Sequence, residues 1–272
     1  MRQSECVEFL QWCLPRLRMR WAGFRKVRSQ VCKRLARRLS ELEFDDLDAY
    51  RRYLMLDDEE WTRLDAMCRI TISRFYRDRG VFDALETGVL PELAAAAQRY
   101  GERAVRVWSC GCASGEEPYS LRIAWDMTRA TRPPSMSLEI VATDADPQML
   151  DRARRAVYPR GSIRDLPPPW QERAFTTSGD NVVLRPERRV PISWICQDVR
   201  SETPHGRFDL VLCRNLVFTY YDEPLQLEIV HRLADAIRSG GALVVGSHET
   251  LPPTQARFEP WPPHHVVHRR RS

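Results

Sequence analysis

The chain has 272 residues, of which 43% are hydrophobic and 29% are charged, a composition typical of globular proteins. This length is sufficient for one main domain and a second, smaller one. No apolar run reaches the roughly 18 residues that a membrane-spanning helix needs, and the first residues, MRQSECVEFLQW, lack the pattern of a signal peptide. We therefore expect a cytoplasmic protein with no membrane insertion.

The cysteines are scattered through apolar stretches, which predicts reduced thiols buried as small hydrophobic side chains. They are Cys6, Cys13, Cys32, Cys68, Cys110, Cys112, Cys196 and Cys213. Cys110 and Cys112 are close in sequence, but a C-x-C pair without a second cluster of cysteine or histidine is a poor zinc signal. We expect no metal site.

The net charge of +5 is modest, but the positive charge is concentrated near the start of the chain. No acidic residue lies between Glu8 and Glu41. The basic residues of that interval are Arg16, Arg18, Arg20, Arg25, Lys26, Arg28, Lys33, Arg34, Arg37 and Arg38. This distribution indicates an anionic partner, and the alternative is a basic face exposed only to solvent.

The first predicted elements are helices. Apolar residues recur at helical spacing over residues 24–42, so one face can pack while the arginines line the other. The stretches LEFDDLDAYRRYL and LDDEEWTRLDAMCRI predict two shorter amphipathic helices, each opened by acidic residues. We predict a helical N-terminal domain over residues 1–75, and a second domain over residues 76–272.

From residue 104 onward, β-rich runs alternate with helical stretches. AVRVWS, LEIVATD, ISWICQD, FDLVLCRN and GALVVGS predict strands, with helices near 116–129, 147–155 and 222–238. This alternation is typical of an α/β fold with a parallel sheet, which binds ligands beyond the carboxyl ends of its strands. A long, proline-rich interval before ISWICQD predicts an inserted β-flap at about residues 175–191.

The stretch WSCGCASGEEPYS combines a glycine-rich bend with two carboxylates at the start of a helix. Gly111 and Gly115 suit a tight strand-to-helix turn and the close approach of a ligand. Glu116 and Glu117 would repel a phosphate, which argues against a nucleotide site and favours a neutral or cationic ligand. The alternatives are a plain tight turn and first-turn acids stabilised by the helix dipole.

Acidic residues also follow the next two strands. Asp144 and Asp146 stand where doubly wound folds present a carboxylate to ribose hydroxyls. One of them would do so while the other caps the helix beginning at Pro147, and the sequence leaves open which. Asp198 could accept a hydrogen bond from an adenine amino group, with Val199 supplying the next backbone amide. The alternative for Asp198 is an exposed loop acid.

Several motifs in combination carry a family resemblance. ISRFYRD, WSCGCASGEEPYSL, TDADPQMLDRA, YPRGSIRDLP, FDLVLCRN and SGGALVVGSHETL resemble the CheR family, the chemotaxis receptor protein-glutamate O-methyltransferases. The resemblance covers nearly the whole chain. It implies a Rossmann-like class I domain that binds S-adenosylmethionine (SAM), a small all-α N-terminal domain and an inserted β-subdomain. The product of the cofactor would be S-adenosylhomocysteine (SAH).

The resemblance also implies roles for individual residues. Arg77 would reach over the cofactor, and Glu116 would hold its methionine portion. Residues near the remainder of the cofactor would be Gly111, Gly115, Asp144, Asp146, Asp198 and Val199. Arg214 and Asn215 would line the reaction centre and also contact the cofactor, and Tyr220 would face the substrate. The alternative for Arg214 is a structural ion pair.

The implied reaction is methyl transfer to a glutamate side chain of a chemoreceptor-like protein. A glutamate carboxylate is ionised at neutral pH and needs no general base, so alignment of donor and acceptor is the main requirement. The acidic substrate would dock on the basic helix through Arg25, Arg28, Arg34, Arg37 and Arg38. A nucleic-acid partner is not favoured, because no recognised reading motif is present.

One departure from the family pattern bears on the acceptor. RNLVFTYYD has one residue more between Asn215 and the tyrosine than the family usually shows. A CheR-like enzyme acting on a small metabolite or a different protein is therefore an alternative. A catalytically silent module that binds SAM and signals through the basic helix is a third hypothesis.

Overall fold

The computed structural model describes residues 2–128, 133, 135–189, 191–252 and 257–271. Met1 and Ser272, at the ends of the two predicted domains, and Val190, in the predicted flap, lie outside the described residues. The chain divides into two compact units, one of residues 1–71 with 219–226 and one of residues 72–218 with 227–272. The domain boundary at residues 75 and 76 stays a prediction.

The first unit, called the helical unit below, is built from helices joined by short turns. They are α1 (Gln3–Cys13), α2 (Trp21–Phe24), α3 (Arg28–Glu41), α4 (Leu47–Leu54) and α5 (Asp58–Cys68). The Asp46 side chain accepts from the Ala49 N–H at the start of α4, and Asp57 caps α5 in the same way. Apolar residues of α3 recur at helical spacing and are buried, which confirms that its predicted apolar face packs. They are Val31, Leu35 and Leu39.

The arginines of α3 do not all face solvent, which corrects one expectation. Arg38 donates two hydrogen bonds to the buried Glu60 carboxylate, at 2.9 and 2.7 Å, and Tyr50 donates a third at 2.7 Å. Burial would raise the pKa of Glu60, but these hydrogen bonds outweigh it and hold that pKa below its usual value. Arg34 donates to the Met67 carbonyl at 2.8 Å. Arg34 and Arg38 therefore stabilise the helical unit.

Four basic side chains around α3 are exposed, and we call them the basic face. They are Arg25, Lys26, Lys33 and Arg37. Arg28 is half-buried and donates to the Arg25 carbonyl. The exposed basic surface therefore shares Arg25 and Arg37 with the predicted docking residues. It adds Lys26 and Lys33.

The expectation that every cysteine is reduced is wrong for one pair. Cys6 of α1 and Cys32 of α3 form a disulfide, with their Cα atoms 5.9 Å apart. The apolar pattern predicts that both side chains point inward, but only the packing of α1 against α3 brings them together. The free cysteines are Cys13, Cys68, Cys110, Cys112 and Cys213, all buried, and the exposed Cys196. Among the described residues, no group of three or more potential ligands could hold a metal ion.

The second unit contains a seven-stranded sheet with helices. In chain order its elements are α6 (Arg79–Ala84), α7 (Leu90–Arg99), β1 (Ala104–Cys110), α8 (Glu116–Met127), β2 (Ser137–Asp144), α9 (Pro147–Arg155), β3 (Val157–Pro159), α10 (Pro168–Ala174), β4 (Phe175–Ser178), β5 (Asn181–Leu184), β6 (Ile192–Cys196), β7 (Phe208–Leu212), α11 (Val217–Tyr220), α12 (Glu223–Ala236), β8 (Ile237–Val244), β9 (Phe258–Trp261) and β10 (His264–Arg270). The last residues of α11 and the first of α12 belong to the helical unit.

The order of the large sheet is β6-β2-β1-β7-β8-β10-β9. The first five strands are parallel, as the alternating sequence pattern predicts, and β10 and β9 add an antiparallel edge. The α/β fold class is confirmed. No helix in the part of the chain that the structure describes is long and apolar enough to cross a bilayer.

An inserted β-subdomain lies between α9 and β6. Its strands pair antiparallel in the order β3-β5-β4. The hairpin of β4 and β5 falls within the residues predicted as a flap, while β3 comes from further upstream. Phe75 packs edge-on against Tyr158 of β3 and Phe175 of β4, at ring-centroid distances of 4.8 and 5.0 Å. These aromatic contacts hold the ISRFYRD segment against the β-subdomain.

Candidate functional site

The glycine-rich turn joins β1 to α8. Gly111 and Gly115 have φ values of 74° and 90°, in the left-handed region that favours glycine. A Cβ on Gly115 would lie 2.8 Å from the Ala153 side chain, and one on Gly111 would lie 2.5 Å from Leu216. The backbone angle and protein packing therefore require glycine at both positions, and the close approach of a ligand stays a prediction.

The backbone amides of this turn are occupied by protein acceptors. The N–H groups of Gly111 and Cys112 donate to the Thr143 carbonyl at 2.8 and 3.0 Å. The Ala113 N–H donates to the Asp144 carboxylate at 2.8 Å. A phosphate cradle needs amides that are available to the anion, so this arrangement agrees with the prediction that the ligand is not a phosphate.

The structure separates the roles of Asp144 and Asp146. Asp146 is the N-cap of α9, where its carboxylate accepts from the Gln148 N–H at 2.9 Å. The Asp144 carboxylate accepts from the N–H groups of Ala113 and Asp146, at 2.8 and 2.9 Å. Asp146 therefore has the capping role, and Asp144 is the acid that contacts the glycine-rich turn.

Glu116, the first residue of α8, is a buried carboxylate. It is 4% exposed, and Ser114 Oγ donates to its two oxygens at 2.9 and 3.0 Å. Burial raises the pKa of Glu116, because the charged form loses hydration that the serine hydroxyl only partly replaces. Among the described residues no lysine or arginine forms an ion pair with it. A positively charged ligand would satisfy this carboxylate.

Glu117 and Arg214 form the centre of an ion-pair network. Arg214 Nη1 lies 3.1 Å from Glu117 Oε2, and Nη2 lies 3.0 Å from Asp78 Oδ2 and 2.8 Å from the Arg77 carbonyl. Ser109 Oγ donates to Glu117 Oε1 at 2.7 Å. The Arg214 side chain is 2% exposed, and its Nε is buried without a hydrogen-bond partner in the described part of the chain. These contacts show the ion pairs that were the alternative for Arg214, and its place at the reaction centre stays a prediction.

Arg77 lies between two residues in the left-handed region. Tyr76 and Asp78 have φ values of 58° and 60°. Tyr76 stacks on Phe82 at a ring-centroid distance of 4.7 Å, and its hydroxyl donates to Glu86, whose pKa burial raises to about 7. These contacts fix the backbone on either side of Arg77.

Arg77 is half-buried as a residue, and its Nη1 donates to the Ile72 carbonyl at 2.7 Å. The structure describes no ion pair for this side chain. Its charge is therefore available to a ligand, unlike that of Arg214.

Asp198, in the segment after β6, has an ion-pair partner two residues further along the chain. The Asp198 carboxylate pairs with Arg200, with Oδ2 and Nη2 2.6 Å apart, and it accepts from the Arg200 N–H at 2.9 Å. Val199 is buried. Gln197 Oε1 is buried without a hydrogen-bond partner among the described residues. Sequence reasoning placed Gln197 in this loop but did not single it out, because only burial shows that its amide oxygen is unpaired.

The strand ends around these residues adjoin one another. The Gln197 N–H donates to the Asp144 carbonyl at 3.1 Å, so the ends of β2 and β6 are in contact. Asn215, after β7, has a φ of 55°, and its N–H donates to Glu249 at 2.7 Å. Sequence reasoning missed Glu249, although an acidic residue soon after a buried strand in GSHETL was a signal.

Tyr220, the predicted substrate-facing tyrosine, belongs to the helical unit. Its ring packs edge-on against Phe24 at a centroid distance of 5.1 Å, and its carbonyl accepts from the Arg20 N–H at 2.8 Å. Met19 and Tyr221 form an antiparallel bridge beside it. Backbone pairing with the segment before α2 therefore fixes the position of Tyr220 within this unit.

The sequence of this chain is similar to those of known methyltransferases. Residues 71–267 match the family described as "CheR methyltransferase, SAM binding domain". A "Chemotaxis protein methyltransferase" of Listeria innocua is 34% identical over 68% of this chain and 68% of its own length. A protein of the same description from Listeria monocytogenes is 30% identical over 82% of each chain.

A longer relative is also similar. The "Uncharacterized 104.1 kDa protein in hypE 3'region" of Rhodobacter capsulatus is 34% identical over 84% of this chain, which spans 24% of that protein's length. The family match covers more than half of this chain, and each Listeria protein is at least 30% identical to it. The chain belongs to the CheR methyltransferase family and is a SAM-dependent methyltransferase.

Proposed function

We propose that this protein transfers a methyl group from SAM to a glutamate side chain of an acidic, chemoreceptor-like protein, giving a methyl ester and SAH. The main support is Arg77, a half-buried residue with a fixed backbone and no ion pair described for its guanidinium. An arginine can orient a carboxylate through paired, charge-assisted hydrogen bonds. The names of the Listeria relatives also support a chemoreceptor substrate.

The residues around the ends of β1, β2 and β6 fit the cofactor. The buried carboxylate of Glu116, which accepts from Ser114 and has no ion-pair partner among the described residues, would hold the ammonium group of the methionine portion. Asp144 would hold the ribose, since Asp146 is used as a helix cap. The buried Gln197 oxygen would accept from the adenine amino group, a role for which Asp198 is less suited because it pairs with Arg200. Gly111, Gly115 and Val199 would shape this pocket through the backbone.

SAM supplies an electrophilic methyl group whose transfer leaves a neutral thioether. The acceptor carboxylate is already ionised, so the protein has to align it and exclude water rather than remove a proton. Arg77 would orient the carboxylate. Arg214 would act indirectly, by holding Asp78, Glu117 and the Arg77 carbonyl in place. Asn215 and Tyr220 remain on the acceptor side in this proposal.

The basic face of the helical unit would attract the acidic substrate. Its side chains are exposed, whereas Arg34 and Arg38 are bound within the unit. Attraction between oppositely charged surfaces raises the association rate and weakens as salt is added. The docking proposal therefore rests on Arg25, Lys26, Lys33 and Arg37.

The proposal is tested with methyl-labelled SAM and cytoplasmic fragments of chemoreceptors. Label that enters the fragment and is released as methanol by mild base identifies an ester, and Glu116→Gln serves as a control with impaired cofactor binding. Base-stable label would reject ester formation. Transfer to another protein or a small metabolite would support the second candidate, which the additional residue in RNLVFTYYD favours. SAM binding with no transfer to any acceptor would favour the signalling module.

A further inference from the structure

We infer that Glu249 is a positioning residue for methyl transfer, because its carboxylate fixes the backbone of Asn215 beside Arg214. The link to methyl transfer rests on the proposed function, which keeps Asn215 on the acceptor side. The structural part of the inference rests on contacts within the second unit alone. Glu249 touches neither cofactor nor acceptor in this proposal.

The Glu249 carboxylate joins the loops after two neighbouring strands. Its Oε2 accepts from the N–H of Asn215 and from the N–H of Gly246, each at 2.7 Å. The first of these residues follows β7 and the second follows β8, and Glu249 is 9% exposed. Hydrogen bonds from buried amides to a carboxylate are stronger than those between neutral groups. One side chain thus sets the distance between the two strand ends.

Gly246 is required by this arrangement. A Cβ at that position would lie 2.8 Å from Glu249 Oε2 and 2.9 Å from Asn215 Oδ1. These distances are shorter than real Cβ contacts, so any side chain would displace one of the two neighbours. The glycine, the acid and the asparagine therefore form one close-packed group at the carboxyl end of the sheet.

The group also holds a backbone conformation that asparagine adopts at some cost. Asn215 has a φ of 55°, in the left-handed region. The hydrogen bond from its N–H to Glu249 offsets part of this cost. If Glu249 were removed, the buried Gly246 N–H and the partly buried Asn215 N–H would lose the carboxylate to which they donate, and Asn215 could relax. Because Arg214 precedes Asn215 directly, relaxation would also disturb the ion pairs with Asp78 and Glu117.

The test compares Glu249→Ala, Glu249→Gln and the neighbouring His248→Ala, which replaces an exposed side chain. Calorimetry with SAH measures the cofactor site without any acceptor. We expect Glu249→Ala to weaken SAH binding about tenfold, because relaxation at Asn215 would disturb the Arg214 ion pair that holds Glu117 beside the proposed cofactor ligand Glu116. Glu249→Gln keeps an oxygen that can accept from both N–H groups, so we expect affinity within about threefold of the parent. His248→Ala should bind SAH as the parent does.

Two results would overturn the inference. One is SAH binding by folded Glu249→Ala with the affinity of the parent protein. The other is an equal loss of SAH affinity in the alanine and glutamine variants. That result would mean that the side-chain oxygen at position 249, which accepts from the two N–H groups, does not control cofactor binding. Since no acceptor takes part, a failure of the proposed ester chemistry would leave this measurement unaffected.

A measurement on the unchanged protein covers the case in which Glu249→Ala does not fold. Hydrogen exchange of the Asn215 and Gly246 amides reports directly on the two hydrogen bonds. We expect both to exchange at least about a hundredfold more slowly than the amide of the exposed residue His248. Exchange at the rate of the His248 amide would overturn the inference.

Discussion

Arg214 and Glu117 form an ion pair of 3.1 Å although 97 positions separate them in the sequence. Both side chains are largely buried, and Arg214 makes a second ion pair of 3.0 Å with Asp78. One guanidinium thus neutralises two carboxylates that come from different segments of the second unit. This network is the environment that the structure shows for Arg214.

Replacing Arg214 by glutamine should destabilise the protein. Both carboxylates would lose their counterion, and breaking a buried ion pair costs about 3 kcal/mol. Urea denaturation at neutral pH measures this loss of unfolding free energy. A double-mutant cycle with Glu117→Gln should give a coupling energy above about 0.5 kcal/mol. Additive effects of the two substitutions would show that the pair is not energetically linked.

Glu116→Gln should separate stability from cofactor binding. Burial raises the pKa of Glu116, so the folded protein without cofactor loses stability as pH rises through that pKa. Glutamine does not ionise, so the variant avoids this loss of unfolding free energy. We expect it to be at least as stable as the parent at pH 7 without cofactor. It should nevertheless bind SAM more weakly, because a neutral amide cannot satisfy a cation.

The pH dependence of binding provides a second measurement for Glu116. The ionised form binds the cation, so SAM affinity of the parent should fall as pH drops through the raised pKa. Calorimetry across a pH series should show this fall in the parent and a flatter profile in Glu116→Gln. Parallel profiles in the two proteins would contradict the assignment.

Local patterns predicted much of the fold. Alternating β-rich and helical stretches predicted five parallel strands, because each strand and its crossover helix form a short, continuous segment. The spacing of Val31, Leu35 and Leu39 predicted the packed face of α3. The antiparallel edge of β9 and β10 was not predicted, since the proline-rich sequence between them weakens the strand signal.

The site was less predictable where residues far apart in sequence meet. The pattern around α3 could not show that Arg38 is bound to Glu60, because the partner lies on another helix. Likewise, Cys6 and Cys32 are each typical of a buried position, and only the packing of two helices pairs them. The acids after β2 were correctly placed at the strand end, but hydrogen bonds to Ala113 and Gln148 were needed to separate their roles.

Charge reversal on the basic face should slow reaction with an acidic protein substrate. We expect the triple variant Arg25→Glu, Lys33→Glu, Arg37→Glu to lose at least about tenfold in kcat/KM at low salt, and less at high salt. SAH affinity should not change. The matched control reverses three exposed arginines of the second unit, Arg99, Arg103 and Arg173. Equal losses in both triple variants would show a general effect of net charge rather than docking on α3.

Arg38→Glu should behave differently from the basic-face variant. The substitution would place a second carboxylate beside that of Glu60, which is 1% exposed. It would also remove the two hydrogen bonds that Arg38 donates to Glu60. We expect a loss of unfolding free energy of about 3 kcal/mol or more, seen in thermal or urea denaturation. If the Arg38→Glu protein were stable but bound the substrate less well, Arg38 would contribute to docking after all.

Gly23 allows the helical unit to hold the segment that contains Tyr220. A Cβ at Gly23 would overlap the Thr219 carbonyl oxygen and lie 3.1 Å from Tyr220 Cδ1. Gly23→Ala should therefore displace this segment and lower the unfolding free energy by about 1 to 3 kcal/mol. Because Tyr220 is on the acceptor side in the proposed function, we also expect slower methyl transfer with unchanged SAH affinity. Gly80→Ala is the matched control, since its Cβ would meet nothing within 4 Å. Parent-like turnover in a folded Gly23→Ala protein would show that the position of Tyr220 does not limit transfer.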